Sequence, residues 1–255
     1  MPEIARLIIT LTDKQNSAKN KCLNWYKTRY KPTFTIAGVA GSGKSTIIRV
    51  IIEELGLRRE NVAYCAYTGM ASNVLIRKGN PATTIHKLIY DPVEIEDEKT
   101  KKKKIVFKLK EQLDENIRLI VVDEVSMVSQ KMLDELISFN IPILATGDPK
   151  QLPPIANDMN KLLANPDVFL DEPLRQALDN PIIYIANQLR QGIVPQYGSY
   201  GGRVNIYKSD RFPVEALTEA DQILAGKNRT VENLNKFYRV NAVSYTHLRA
   251  PRDTR

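Results

Sequence analysis

The sequence predicts an α/β fold built on a parallel sheet, and three observations lead there. Short apolar runs rich in β-branched residues recur at Thr33 to Ala37, Val62 to Tyr67, Leu119 to Val122 and Ile141 to Thr146. Each gives way to turn residues or to the start of a helical pattern, so strand and helix alternate. The runs are apolar at successive positions, which suits strands covered by helices on both faces. A chain of 255 residues that is 43% hydrophobic and 26% charged has the apolar content for one large core or two modest ones.

No apolar run approaches the ~20 residues needed to cross a bilayer. The opening MPEIARLIITLTDKQ has no basic stretch followed by a long apolar segment, so neither export nor membrane insertion is expected. Cys22 and Cys65 lie far apart with no CxxC or Cys/His neighbourhood. They read as reduced thiols, and a cytoplasmic location is the expectation. The formal net charge of +8 suggests a nucleic-acid partner, because clustered Lys and Arg release counterions from phosphates. The stretch AVSYTHLRAPRDTR, residues 242–255, supplies Arg249, Arg252 and Arg255 against Asp253, three minus one, or two of those eight charges. It breaks the preceding periodicity and resembles translated adaptor sequence, so it is read as a non-native tail and set aside.

Between the second and third runs, residues 90–116 alternate apolar and charged side chains at Val93, Ile95, Ile105, Phe107 and Leu109, which predicts a hairpin insertion. Its KKKK at 101–104 invites a DNA-contact reading. The segment nevertheless holds seven Lys against eight Asp and Glu, so a solvated, salt-laced turn is an equal expectation. Phe107 reads as a core-facing aromatic or as a base-stacking one. A second βα region is expected from near Val168, with a helix from Asn180 to Arg190, strands at Val204 to Tyr207 and Gln222 to Ala225, and a helix from Val231 to Tyr238. The expected domains are 1–165, interrupted by the insertion, and 166–241.

The most specific signal is Gly38-Val39-Ala40-Gly41-Ser42-Gly43-Lys44-Ser45, a full GxxxxGK[ST] match after a predicted strand and opening a predicted helix. Glycines let backbone amides converge on a β-phosphate and the helix N-terminus adds its dipole. Lys44 reaches the β- and γ-phosphates and the Ser45 hydroxyl ligates Mg2+. A second site is LIVVDEVSMVS, in which Asp123 ends an apolar strand where it can hold the metal and Glu124 can orient or deprotonate an attacking water. A third is ILATGDPKQLPPI, which carries Gln151 to the C-terminal edge of the sheet, where it can sense a γ-phosphate.

LTDKQ (11–15), GVAGSGKST (38–46), AYTGMAS (66–72), TIHKL (84–88), VVDEVSM (121–127), GDPKQLPPI (147–155) and LRQ (174–176) stand in the order found in superfamily 1 DNA helicases of the RecD and Dda type, and over about residues 8–240 the chain resembles that family. The resemblance implies a RecA-like motor domain with a P-loop, part of a second such domain, and ATP-dependent 5′→3′ movement on single-stranded DNA with unwinding at duplex junctions. ATP would be held by Gln15, which reads the adenine edge, and by Gly38, Ala40, Gly41, Ser42, Gly43, Lys44, Ser45 and Thr46. Mg2+ would be held by Ser45 and Asp123. Lys44, Glu124, Gln151 and Arg175, the last as an arginine finger, would act in catalysis. Thr68, Gly69, Thr84 and His86 would touch DNA, although Thr84 also reads as a helix N-cap and His86 as a packed ring. Replication or recombination proteins are implied as partners of no particular identity. Two other classes share the P-loop: an ATPase of DNA packaging or repair, and a nucleotide-binding module without motor activity.

Members of that family continue into two further motifs, one touching DNA and one supplying a second arginine to ATP, and neither is found here. The second domain therefore reads as about half complete. The expectation is that these 255 residues bind Mg-ATP, hydrolyse it slowly and fail to unwind a duplex with a 5′ single-stranded tail, whereas a longer reading frame unwinds it. Strand-displacement rates of the shorter and the longer chain decide this, robust unwinding by the shorter chain being the contrary result.

Overall fold

The computed structural model describes residues 10–96, 103–154, 160–174, 179–213 and 215–241. Contacts divide the chain into one unit through Pro195 and another from Gln196. The first unit runs α1 (Asp13–Thr28), β1 (Thr33–Gly38), α2 (Lys44–Glu54), β2 (Val62–Ala66), α3 (Gly69–Arg77), β3 (Ala82–Thr84) and α4 (Ile85–Ile89). It continues through β4 (Tyr90–Glu96), β5 (Lys103–Leu109), β6 (Leu119–Asp123), α5 (Gln130–Ile137), β7 (Ile143–Gly147), β8 (Val168–Leu170) and α6 (Pro181–Arg190).

Six of these strands form one sheet in the order β3-β2-β6-β7-β1-β8, every pair parallel. Alternate side chains of a strand point to opposite faces, and here both faces are covered. Leu119, Val121 and Leu144 pack with Trp25, Phe34, Ile47 and Ile51 on the α1–α2 side. Ile120, Val122, Ile143 and Ala145 pack with Ile85, Leu133 and Leu136 on the other. Two buried faces account for the unbroken apolar runs in the sequence.

Helix α1 buries Gln15, Ala18, Cys22 and Trp25, a three-and-four spacing that lines one face. Trp25 is fully buried, sets its ring 5.5 Å from that of Phe34 and donates its indole N–H to the Lys31 carbonyl at 2.9 Å. Truncating such a residue costs about 3–5 kcal/mol. Burial pushes the Cys22 thiol up to about 12, in keeping with an inert core thiol, and Cys65 is shifted in the same direction for the same reason.

The expected hairpin is present as β4 and β5, antiparallel from Tyr90 opposite Leu109 to Glu96 opposite Lys103. Lys101 and Lys102 of the KKKK run lie outside the described residues. Lys103 pairs with Glu94 at 3.1 Å and Lys110 with Asp91 at 3.7 Å, as a salt-laced ribbon requires. Phe107 departs from its core-facing reading. It is 56% exposed, with its ring against His86 at 4.4 Å, because the ribbon projects from the sheet and leaves no core for it to face.

Two further readings are corrected, and the strand expected at Val204 to Tyr207 is present as Val204–Ile206. The strand at Val168–Leu170 does not open a second sheet: it pairs with β1, where the Asp167 carboxylate accepts the Thr35 N–H at 2.8 Å. In the second unit, Val204–Ile206 is the return arm of a short antiparallel hairpin with Gly198–Tyr200, β9 and β10, turned by Gly201 and Gly202 at positive φ. Gln222 to Ala225 forms no strand. Leu224 is 83% exposed there, and no strand among the described residues lies beside the segment to pair with it. Two helices complete the unit, α7 (Glu215–Glu219) and α8 (Asn228–Asn241), the latter longer at both ends than the 231–238 expected. Among the described residues no helix is long and apolar enough to cross a membrane.

Candidate nucleotide-binding site

Strand β1 ends at Gly38 and α2 begins at Lys44, so the glycine-rich loop spans the C-terminal edge of the sheet. Its shape depends on close backbone approach. A Cβ on Gly38 would lie 2.8 Å from Ser42 Oγ and 2.9 Å from the Leu170 carbonyl oxygen, which accepts the Val39 N–H at 3.0 Å. Gly43 caps α2 at φ +82°, and a Cβ there would lie 2.5 Å from Gln15 Nε2. Both positions exclude a side chain, and the second also requires the left-handed region.

Gln15 is buried and its amide is already engaged. Its Oε1 accepts the Thr12 N–H at 3.0 Å in a capping box, and its Nε2 donates to the Ser42 carbonyl at 3.0 Å. One N–H and one lone pair of the amide are left for a base edge. The Ser42 hydroxyl is buried without a hydrogen-bond partner. A buried orphan donor beside loop glycines is the mark of a cradle fitted to an anion, and phosphate oxygens would satisfy it.

The Lys44 ammonium donates to the carbonyls of Gly38 and Val39 at 2.7 and 3.0 Å. Burial lowers its pKa; Asp148, Asp123 and Glu124 oppose that, while Arg190 adds to it. Asp123, at the end of β6, accepts the Thr146 hydroxyl at 2.7 Å and the Glu124 N–H at 3.1 Å through the same Oδ1. Glu124 sits in the left-handed region at φ 54°. Its pKa is raised by burial and by the charge of Asp123, with Lys78 and Lys44 pulling the other way. Ser45 Oγ accepts from Lys78 Nζ at 3.3 Å. Gly41, Gly43, Lys44, Ser45, Lys78 and Asp123 are among the residues around a cavity of about 620 Å³. Among the described residues no group of three or more His, Cys, Asp or Glu could hold a metal. A single carboxylate and a hydroxyl suit Mg2+, which keeps several waters and takes its remaining ligands from phosphates.

Gln151 is exposed on the loop after β7, with its N–H on the Asp148 carbonyl at 3.0 Å. Arg175 lies outside the described residues. Thr68 and Thr84 follow the C-terminal ends of adjacent strands β2 and β3, and each N-caps the helix it opens, accepting from Ala71 N at 3.1 Å and Lys87 N at 3.2 Å. Gly69 is the first residue of α3, and a Cβ there would meet open space. His86 packs against Tyr90 at 4.6 Å and Phe107 at 4.4 Å. From β2 to β1 is three strand spacings, about 14 Å, so these residues share the sheet edge with the loop without entering its cavity. Lys78, Asn80 and Thr146 are site residues not singled out from the sequence. A lysine after a helix and a threonine ending a strand carry no local signal of function.

A parallel sheet with a phosphate-loop strand, a carboxylate strand two places away and, between them, a strand that bears Thr146 defines a P-loop nucleotide-binding protein. A family profile described as an AAA domain matches residues 10–209, and the chain belongs to that family. It is 29% identical to the ATP-dependent DNA helicase Dda of Enterobacteria phage T4 over 90% of this chain and 56% of that protein. It is 33% identical to the ATP-dependent RecD2 DNA helicase of Deinococcus radiodurans over 64% of this chain and 22% of that protein. An uncharacterised protein of Acanthamoeba polyphaga mimivirus is 36% identical over 56% of this chain and 33% of its own length. The chain thus spans between a fifth and somewhat over half of these relatives. The Pif1 helicase of Candida albicans has the same fold at TM-score 0.53 and 20% identity, covering 93% of this chain and 56% of that one. The chain is a superfamily 1 sequence of the RecD and Dda type, as its motifs imply.

Because Glu124 has its pKa raised, its protonated form contributes stability that is present at low pH and is lost as pH rises through the folded-state value. Glu124→Gln keeps that contribution at all pH values. Its melting temperature is expected to exceed that of the parent at pH 7, with the difference vanishing below the ordinary carboxylate range. Thermal melts at both pH values measure it.

Proposed function

We propose that this chain is the ATP-driven motor portion of a DNA helicase, coupling hydrolysis to 5′→3′ movement on single-stranded DNA and to duplex opening. The observation that carries the reading is the convergence of Lys44, Ser45 and Asp123 on one cavity at the sheet's C-terminal edge, with Glu124 next to Asp123 and within electrostatic reach of Lys44, and with Thr68, Gly69, Thr84 and His86 farther along that edge. ATP occupies the cavity with its phosphates on residues 38–46 and its adenine against Gln15. Ser45 and Asp123 would hold Mg2+, which would supply charge neutralisation to the phosphates.

Lys44 leaves the Gly38 and Val39 carbonyls for the phosphates, a short movement that exchanges two neutral acceptors for charged ones. Glu124 takes the proton of the attacking water as general base. Gln151 senses the γ-phosphate and Arg175 supplies a finger from the second motor domain, the roles that the family resemblance gives them. Polarity, DNA partners, possible junction contacts by the β4–β5 ribbon and a cytoplasmic setting belong to this same reading. Dda and RecD2 support it as ATP-dependent DNA helicases.

Single-stranded oligothymidylate is expected to stimulate ATP turnover by the chain. Lys44→Ala abolishes that turnover, because electrostatic stabilisation dominates phosphoryl transfer. Glu124→Gln retains nucleotide binding and loses hydrolysis by about 100-fold or more, the scale of a missing general base. Steady-state ATPase assays beside nucleotide titrations measure both. Equal loss of binding in the two variants, or no response to oligothymidylate, refutes the assignment.

A further inference from the structure

Arg190 is assigned no part in the chemistry above, yet it forms an ion pair with Asp148 in which the two side chains are only 19% and 6% exposed. The partners are 42 residues apart in sequence and join α6 to the loop after β7. Asp148 is otherwise committed to that loop: its Oδ1, the atom paired with Arg190, accepts the Lys150 N–H at 2.9 Å, and its carbonyl accepts the Gln151 N–H at 3.0 Å. One carboxylate oxygen therefore holds both the turn that presents Gln151 and the end of α6. The contact of Arg190 Nη1 with Asp148 Oδ1 ties that turn to α6 from outside the loop. The same pair lies within electrostatic reach of Lys44, whose charge is favoured by Asp148 and disfavoured by Arg190.

We infer that Arg190 is a positioning residue for the γ-phosphate step, holding the 148–151 turn through Asp148 so that Gln151 meets the nucleotide. The inference rests on the reading of Gln151 as the γ-phosphate sensor. Arg190 touches neither nucleotide nor metal. It makes the sensor's geometry depend on where α6 sits, so displacement of α6 disengages the sensor without disturbing the phosphate loop.

The test compares binding of a fluorescent non-hydrolysable ATP analogue, mant-AMPPNP, and of mant-ADP, both with Mg2+, to the 255-residue chain and its variants. Gln151→Ala and Arg190→Ala should each lower the triphosphate-to-diphosphate affinity ratio by about tenfold while mant-ADP affinity stays within about twofold, the scale of one lost hydrogen bond to a charged group. Combining them should lower the ratio no further than Gln151→Ala alone, because both act on one contact. Arg190→Lys should keep the ratio within about threefold of the parent. Removing one partner of a buried pair is destabilising, so if Arg190→Ala fails to give a cooperative melt, Arg190→Gln, with a neutral donor, carries the test. Its expected loss is about threefold or more. A ratio lowered by Gln151→Ala and untouched by Arg190→Ala or Arg190→Gln overturns the inference and leaves the sensor reading standing. A ratio that Gln151→Ala does not change overturns both. A parallel fall in affinity for the two nucleotides marks Arg190 as a fold-stabilising residue only and overturns the inference as well.

Discussion

The hydrogen bond from the Thr146 hydroxyl to Asp123 is the contact on which the site's geometry turns. It spans the neighbouring strands β7 and β6, and β7 is the strand inserted between the phosphate-loop strand β1 and the carboxylate strand β6. In a parallel sheet all C-terminal ends lie at one edge, so inserting β7 sets Asp123 two strand spacings, about 10 Å, from the end of β1. That gap is what phosphates and a hydrated metal require. Thr146 fills the part of it nearest the sheet and fixes the Asp123 carboxylate by one oxygen, leaving the other for a ligand.

The basic side chains of Lys44 and Lys78 at this edge rest on neutral acceptors. Lys44 rests on two neutral carbonyls, and Lys78 rests on the Ser45 hydroxyl where the metal is proposed to bind. Among the described residues neither is held by a carboxylate within ion-pair distance, although Asp123, Glu124 and Asp148 are close enough to act on Lys44 electrostatically. Asp148, at the same edge, is paired with Arg190.

What could be read from sequence followed from periodicity and local spacing. The continuous apolar runs at β1, β2, β6 and β7 and the GxxxxGKS match are short-range patterns, and each reports its own structure. The β4–β5 ribbon was legible by its alternation, but the exposure of Phe107 was not, because alternation identifies two faces without saying which of them has a core to meet. β9 and β10 are three residues long, and Gly201-Gly202 was their best signal. Gln222 to Ala225 shows the converse, an apolar run that reads as strand and has no strand beside it to pair with among the described residues. Asp148 with Arg190, and Lys78 with Ser45, are joined only by the fold. Spacings of 42 and 33 residues carry no local pattern.

Gln15 shows how local and tertiary constraints meet in one side chain. Its Oε1 completes the capping box that starts α1, and its Nε2 holds the Ser42 carbonyl of the phosphate loop. The start of α1 and the shape of the loop are therefore fixed by the same amide, with Gly43 required to be bare because that amide occupies the space its side chain would need. A glutamine engaged in this way can take a base edge only through its remaining N–H and lone pair, so docking of a base adds to the existing bonds and does not replace them. On the proposed reading of Gln15 as the base contact and of residues 38–46 as the phosphate loop, base recognition is thereby linked through one amide to the loop that would hold the phosphates.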